Sequence, residues 1–301
     1  VEYWATAGAR RLVDGTAGRA GHSLTLLGER DDVRLLAIDR DPDAVEFVQR
    51  RFAGFGDRAT AVHGSYADLA EHLAAWGGGP VDGILLDLGV SSPQIDDASR
   101  GFSTRHDGPL DLRFDRSRGE SAVGWLADAD VETLVRALRD FGEEPRPTAV
   151  ARAILEARDA GNLDTTGQLV RAIERVAGRR GDPPARAAAR VFQALRIAVN
   201  GELAELDRFL AALPDLLAPD GRIVIISFHS LEDRRVKNAF RAAARDCVCP
   251  PEFPACACGG NRAWLELLTR RPVTATPDEI AANPRARSAK LRAARRIGGV
   301  V

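Results

Sequence analysis

The chain has 301 residues, 45% hydrophobic and 28% charged, with a formal net charge of -1, which describes an ordinary globular chain large enough for one big domain or two. A balance so near neutral excludes a uniformly basic coating protein, and no stretch approaches the roughly 18 consecutive apolar residues of a membrane span. The opening VEYWATAGARR has neither the basic nor the apolar part of a secretory signal, so the expectation is a cytoplasmic protein with no membrane partner.

Residues 10 to 89 alternate short apolar runs with helix-length segments. RRLVD (10–14), VRLLAID (33–39), ATAVHG (59–64) and VDGILLDLG (81–89) read as strands; GHSLTLLGER (21–30), PDAVEFVQRRF (42–52) and YADLAEHLAAW (66–76) read as the helices between them. This β-α-β rhythm predicts a mostly parallel sheet covered by helices on both faces, with ligands outside the carboxyl ends of the strands. After Gly89 the rhythm stops. Residues 88–120 are rich in Ser, Asp, Arg and Gly without strand period, and a loop that long is usually functional. Segments 122–129, 131–141, 146–161 and 165–178 carry helical periodicity, followed by a helix from 187 to 200, another to 217, and a late strand in GRIVIISFHS (221–230). The expected division is a core in two parts, 1–103 and 191–301, with a helical insert at 104–190.

The turn DGTAGRAGHS (14–23) joins the first strand to the first helix. Its glycines fall at 15, 18 and 21, which fails the G-x-G-x-x-G spacing that a pyrophosphate demands. A ligand with an adenosine but no phosphate, such as S-adenosylmethionine, tolerates a looser turn. Asp39 closes the second strand, where a carboxylate can accept hydrogen bonds from both ribose hydroxyls; the bland alternatives are a merely structural turn and Asp39 as N-cap of the helix that follows.

DGTAGRAGHS, AIDRDPDA, DGILLDLGVSSPQIDDASRGFS, GPLDLRFD, FGEEPR, RVFQALRIAVNGEL and GRIVIISFHSLEDRRVK occur in order and cover most of the chain. In these blocks the sequence resembles the bacterial 16S ribosomal RNA (cytosine-N4)-methyltransferase family. The resemblance implies a class I, Rossmann-like methyltransferase core with a helical substrate-recognition insert, S-adenosylmethionine as cofactor, and a decoding-region cytidine of 16S rRNA, in the small ribosomal subunit, as substrate. It implies cofactor contacts at Ala20, Gly21, His22, Asp39, Tyr66, Asp87 and Gln94. Two departures stand out: the family's opening HxPVLL is replaced by VEYWATAGARR, and GPLDMRMD reads GPLDLRFD, with Leu112 and Phe114 in place of methionines.

The chemistry sets its own demands. Methyl transfer from a sulfonium depends on holding the nucleophile in line, and cytosine N4, whose lone pair is delocalised into the ring, needs acceptors for its N–H groups. Asp87, Ser91 and Ser92 follow the fourth strand and His229 the fifth, which makes Asp87, Ser92 and His229 the catalytic candidates. Alternatively Ser92-Pro93 is only a turn, Asp111 pairs with Arg113 or Arg116, and His229 is a buried side chain beside a Ser230–Asp233 capping box. Arg234, Arg235 and Lys237 are placed to meet phosphate. Cys247, Cys249, Cys256 and Cys258 form C-x-C…C-x-C; since zinc sites usually space their cysteines C-x₂₋₄-C, no metal is assigned, and free thiols in a Pro-rich hairpin stand against a four-thiolate zinc site. The arginine-rich tail, 285–296, reads either as a solvated charge run or as phosphate contacts. A DNA or small-molecule amino-methyltransferase and a non-catalytic RNA-binding assembly factor are the competing functions; a homodimer is left open.

Overall fold

The structure, a computed structural model, describes residues 2–176, 183–247, 249, 250, 253 and 256–298. Contacts divide the chain into two compact units, residues 1–89 with 203–301, and residues 90–202.

The first unit begins with β1 (Arg11–Asp14), α1 (Gly21–Glu29), β2 (Arg34–Asp39), α2 (Pro42–Phe52), β3 (Ala59–His63), α3 (Leu69–Ala75) and β4 (Val81–Asp87). The chain leaves this unit after Gly89 for α4 (Ser92–Asp96), α5 (Ala122–Asp128), α6 (Val131–Asp140), α7 (Pro147–Asp159), α8 (Thr166–Glu174) and α9 (Pro184–Asn200). It comes back through α10 (Glu202–Leu216), β5 (Leu217–Ser227), α11 (Ser230–Ala243), β6 (Leu265–Leu267), β7 (Val273–Thr274), α12 (Pro277–Ala282) and β8 (Lys290–Arg296).

The sheet runs β3-β2-β1-β4-β5-β8-β6, with β7 also on β8. From β3 to β5 all pairs are parallel, while β8 is antiparallel to β5 and to β6. The chain moves outward from β1 to β3 and then crosses back to lay β4 against the other side of β1. That reversal opens a crevice at the carboxyl ends of β1 and β4. Successive strand residues feed opposite faces: Val13, Leu36, Ile38, Ile84 and Leu86 pack with Leu206, Phe209 and Phe240, whereas Leu12, Leu35, Ala37 and Leu85 pack with Trp4, Leu26 and Phe52. Both faces are covered, which is why LLAI and ILL read as unbroken apolar runs.

The second unit has its own core, in which Leu126, Leu134, Leu138, Ile154, Leu169, Val191 and Leu195 are all wholly buried. Side-chain caps start its helices: Asp130 accepts the Thr133 N–H at 2.7 Å and Thr165 the Gln168 N–H at 3.3 Å. The division at 89/90 and 202/203 differs from the 104–190 expected, because α9 packs on α5, α6 and α8 and gives Ala187, Val191 and Leu195 to this core. Residues 177 and 178 of the segment expected as helix lie outside the described residues.

The segment expected as a long loop is also held. Asn200 accepts the Phe114 N–H at 2.8 Å and donates to the Leu112 carbonyl at 2.7 Å; Arg100, buried, donates to the Phe114 carbonyl at 2.8 Å; and the Phe102 and Phe114 rings stack 5.6 Å apart. Asp111 pairs with Arg113 at 2.7 Å and Arg116 at 3.5 Å. Among the described residues no helix is long and apolar enough to cross a membrane.

Candidate active site

The turn after β1 is sewn to the strands on both sides of it. Ala17 N–H donates to the Ile38 carbonyl at 2.9 Å and Gly18 N–H to the Asp39 Oδ2 at 2.7 Å, while Gly15 N–H donates to the Leu85 carbonyl at 2.8 Å and Asp87 N–H to the Thr16 Oγ1 at 2.6 Å. Gly18 (φ 50°) and Ala20 (φ 57°) take left-handed conformations that swing the chain into the first turn of α1. The glycines divide by role. A Cβ on Gly15 would lie 2.4 Å from Leu86 and 3.0 Å from Tyr66, so that glycine serves packing; a Cβ on Gly21 would meet no protein atom within 4 Å.

Three carboxylates end β1, β2 and β4. Asp14 is buried, accepting the Ser23 hydroxyl at 2.6 Å and the Thr16 N–H at 3.3 Å; burial raises its pKa against the pull of Ser23. Asp39 accepts Gly18 N–H through Oδ2 and Asp41 N–H through Oδ1 at 2.8 Å. Burial pushes its carboxyl up to about 6, against the Asp41 and Gly18 N–H groups, which pull it down. The helix cap is not Asp39 but Asp41, which accepts the Asp43 N–H at 3.1 Å. Asp87 lies with Oδ2 3.8 Å from His22 Nε2, and its Oδ1 is buried with no hydrogen-bond partner. The Asp87 carboxylate holds the His22 imidazole above its usual range, with burial opposing.

Tyr66 is buried in a short 3-10 turn after β3, edge-on to Phe209 with ring centroids 5.6 Å apart. Sequence reading missed what holds that turn. Glu205, on α10, accepts from Ser65 Oγ at 3.0 Å and Arg40 Nη1 at 2.9 Å, and burial raises its pKa. It missed Ser23 and Thr16 too, the partners of Asp14 and of the Asp87 N–H. Ser23's only signal was polarity in the first turn of α1, and Thr16's a hydroxyl in the turn between β1 and α1.

Gln94 and Ser92 belong to the second unit. Gln94 is buried, its Oε1 accepting the Ser91 N–H at 2.9 Å as a reciprocal cap of α4, and Ser92 is exposed. His229 is in the first unit at the carboxyl end of β5, its side chain only 9% exposed and its Nε2 3.1 Å from Glu232 Oε1. The expected Ser230–Asp233 capping box is replaced by one in the previous register: His229 is the N-cap, and Glu232 accepts the Phe228 and His229 N–H groups at 3.0 and 3.4 Å. Asp233 turns instead to Arg292, at 2.7 Å. Arg235 pairs with Asp207 at 3.2 Å. Sulfur atoms of Cys247, Cys249, Cys256 and Cys258 all lie within 4.8 Å of one another.

Compared with known proteins, residues 1–297 match the MraW methylase family. The chain belongs to that family. This methylase is 49% identical to "Ribosomal RNA small subunit methyltransferase H" of Sorangium cellulosum (strain So ce56), over 95% of this chain and 85% of that one. It is 47% identical to the protein of the same name from Nitratidesulfovibrio vulgaris (strain DP4), over 99% and 93%, and 47% identical to that of Thermomicrobium roseum, over 95% and 88%. Its fold is the Rossmann-like class I methyltransferase fold, and its methyl donor is S-adenosylmethionine. Residues of the first unit fit that cofactor on two observations. Gly21 leaves open space beside the turn, and Asp39, its carboxylate held by the Gly18 and Asp41 N–H groups, ends β2 at the same turn.

Proposed function

We propose that this methylase transfers a methyl group to the exocyclic N4 of a cytidine in the decoding region of 16S rRNA, acting on the small ribosomal subunit. The observation that carries the reading is Asp87 Oδ1, a buried acceptor without a donor at the carboxyl end of β4. An amino nitrogen conjugated to a pyrimidine ring needs an acceptor for its N–H before its lone pair can turn toward an electrophile. The relatives' common name, at 47 to 49% identity over nearly the whole chain, supports an rRNA substrate.

When bound, S-adenosylmethionine supplies an electrophilic methyl on a sulfonium. Asp39, its carboxylate fixed by two backbone N–H groups, would hold the ribose hydroxyls. Asp87 accepts an N–H of the target amino group, and His22, 3.8 Å from its other oxygen, fixes the carboxylate's orientation. Positioning carries most of the rate, and the proton can leave to solvent after transfer, so no strong base is required. A target base must leave its stack, which is least costly in looped rRNA. We assign the grip on surrounding RNA to the second unit, whose Arg105, Arg116 and Arg118 are exposed.

The test is methyl transfer from labelled S-adenosylmethionine to small subunits lacking base methylation, read by mass spectrometry of rRNA nucleosides. N4-methylcytidine is expected with the unaltered chain and a loss of about 10²-fold with Asp87→Ala. A different methylated nucleoside, or none despite cofactor binding, overturns the assignment of the target.

A further inference from the structure

The segment joining α11 to β6 carries a feature that methyl transfer does not use. Among its described residues from 245 to 262 none is buried, so no apolar core draws its side chains together. Even so, four cysteine sulfurs from two C-x-C pairs converge. Cys247 to Cys256 measures 3.5 Å, Cys256 to Cys258 3.5 Å and Cys247 to Cys258 3.6 Å, and Cys249 completes a group within 4.8 Å throughout.

Three nearly equal sulfur separations describe one face of a tetrahedron. Zinc bound by four thiolates at about 2.3 Å from each gives edges of about 3.8 Å, close to these values. The C-x-C spacing serves that geometry, because residues i and i+2 of an extended chain project to the same side. Each pair thus offers one edge, and two facing edges enclose one ion. Ala257 N–H donates to Cys249 Sγ at 3.2 Å, the kind of backbone donor that steadies a metal-bound thiolate. The base of the segment is closed by Arg262 N–H on the Asp246 carbonyl at 3.2 Å and Trp264 N–H on the Ala243 carbonyl at 2.9 Å, which brings its two arms side by side.

We propose that Cys247, Cys249, Cys256 and Cys258 bind one Zn²⁺ as a structural four-thiolate site. All four positions are filled by protein, so the site is closed to substrate and its role is to order a segment that buries too little apolar surface to order itself. Tetrahedral sulfur-only ligation selects zinc or iron, edges this short enclose a single ion and not a cluster, and zinc is the usual occupant of a closed structural four-thiolate site.

The test uses the full chain, purified under reductant without chelator. Elemental analysis is expected to find one zinc per chain that survives dialysis, and Cys247→Ser with Cys256→Ser is expected to abolish it while S-adenosylmethionine still binds. Because that variant can misfold, a second measurement uses the unaltered chain: Co²⁺ added to the zinc-stripped, reduced protein is expected to give the intense visible bands of tetrahedral thiolate ligation, saturating at one equivalent. Zinc is expected to slow alkylation of the four thiols and proteolysis within 245–262. Iron in place of zinc, no retained metal, or thiols that react equally fast with and without zinc each overturn the site.

Discussion

The two outer glycines of the turn after β1 have the same chemistry and opposite roles. Gly21→Ala adds a methyl where the protein leaves space, so it is expected to leave the melting temperature unchanged or raised while weakening S-adenosylmethionine binding about tenfold or more; Gly15→Ala, driven into Leu86 and Tyr66, is expected to lower the melting temperature. Calorimetric titration beside thermal melts separates the two, and equal loss of stability in both variants would refute the assignment of open space to a ligand. Asp39 gives a pH signature. Its carboxyl, raised to about 6, must ionise to accept both ribose hydroxyls, so affinity is expected to fall as pH drops through about 6 and Asp39→Asn to flatten that limb. His22 is held above its usual range by Asp87; its protonated form opposes a cationic ligand, and His22→Gln isolates its share. For stability the sign is reversed. An acid whose folded pKa is raised binds its proton more tightly when folded, so Asp39's contribution declines as pH rises from about 4 to about 6. Asp39 was legible in the sequence because a carboxylate ending a strand is a local pattern. The cap of α11 was not, since SFHSLEDRR offers two acidic residues in adjacent capping registers, and what separates them is Arg292, far along the chain.

The element where sequence and structure part most is the arginine-rich tail. Read as a charge run it was solvated or bound to phosphate; in the structure residues 290–296 are β8, inside the sheet and antiparallel to β5. Arg292 is buried against Asp233, Arg295 pairs with Glu266 at 2.6 Å and Asp220 at 3.0 Å, and Arg296 donates to the Pro214 carbonyl at 2.6 Å. Arg292 and Arg296 are thus occupied within the protein, and Arg295 is paired at the surface. Ala293 and Ala294 are wholly buried, so the apolar signal was one leucine, Leu291, and two alanines among cations, too weak to mark a strand. Asp233 shows the coupling: burial would raise its pKa, yet Arg292 and Lys290 hold it below the usual carboxylate range. Arg292→Ala removes the nearer cation from that carboxylate, leaving Lys290 at 3.6 Å, and is expected to cost about 3 kcal/mol in denaturant unfolding. A double-mutant cycle with Asp233→Ala is expected to recover most of it; additive losses would show that the two side chains are not energetically coupled.

At the scale of the whole molecule the described residues form three hydrophobic clusters, one within residues 90–202 and one on each face of the sheet. Strand and helix periods were legible because each is written within a dozen residues, whereas the boundary was not: α9 is amphipathic wherever it packs, and only its neighbours α5, α6 and α8 assign it to residues 90–202. The cluster around Ile154 and the clusters flanking the sheet share no residue. Ile154→Ala, at a wholly buried position, is expected to destabilise its own unit by about 2–5 kcal/mol. In hydrogen exchange resolved by peptide, protection is expected to fall across α6, α7, α8 and α9 while β1, β2, β4 and β5 keep theirs, because opening free energies follow cooperative units rather than the chain as one body. Equal loss of protection in the sheet strands would mean that the two units unfold together, and that the long excursion between β4 and β5 is energetically part of the sheet domain.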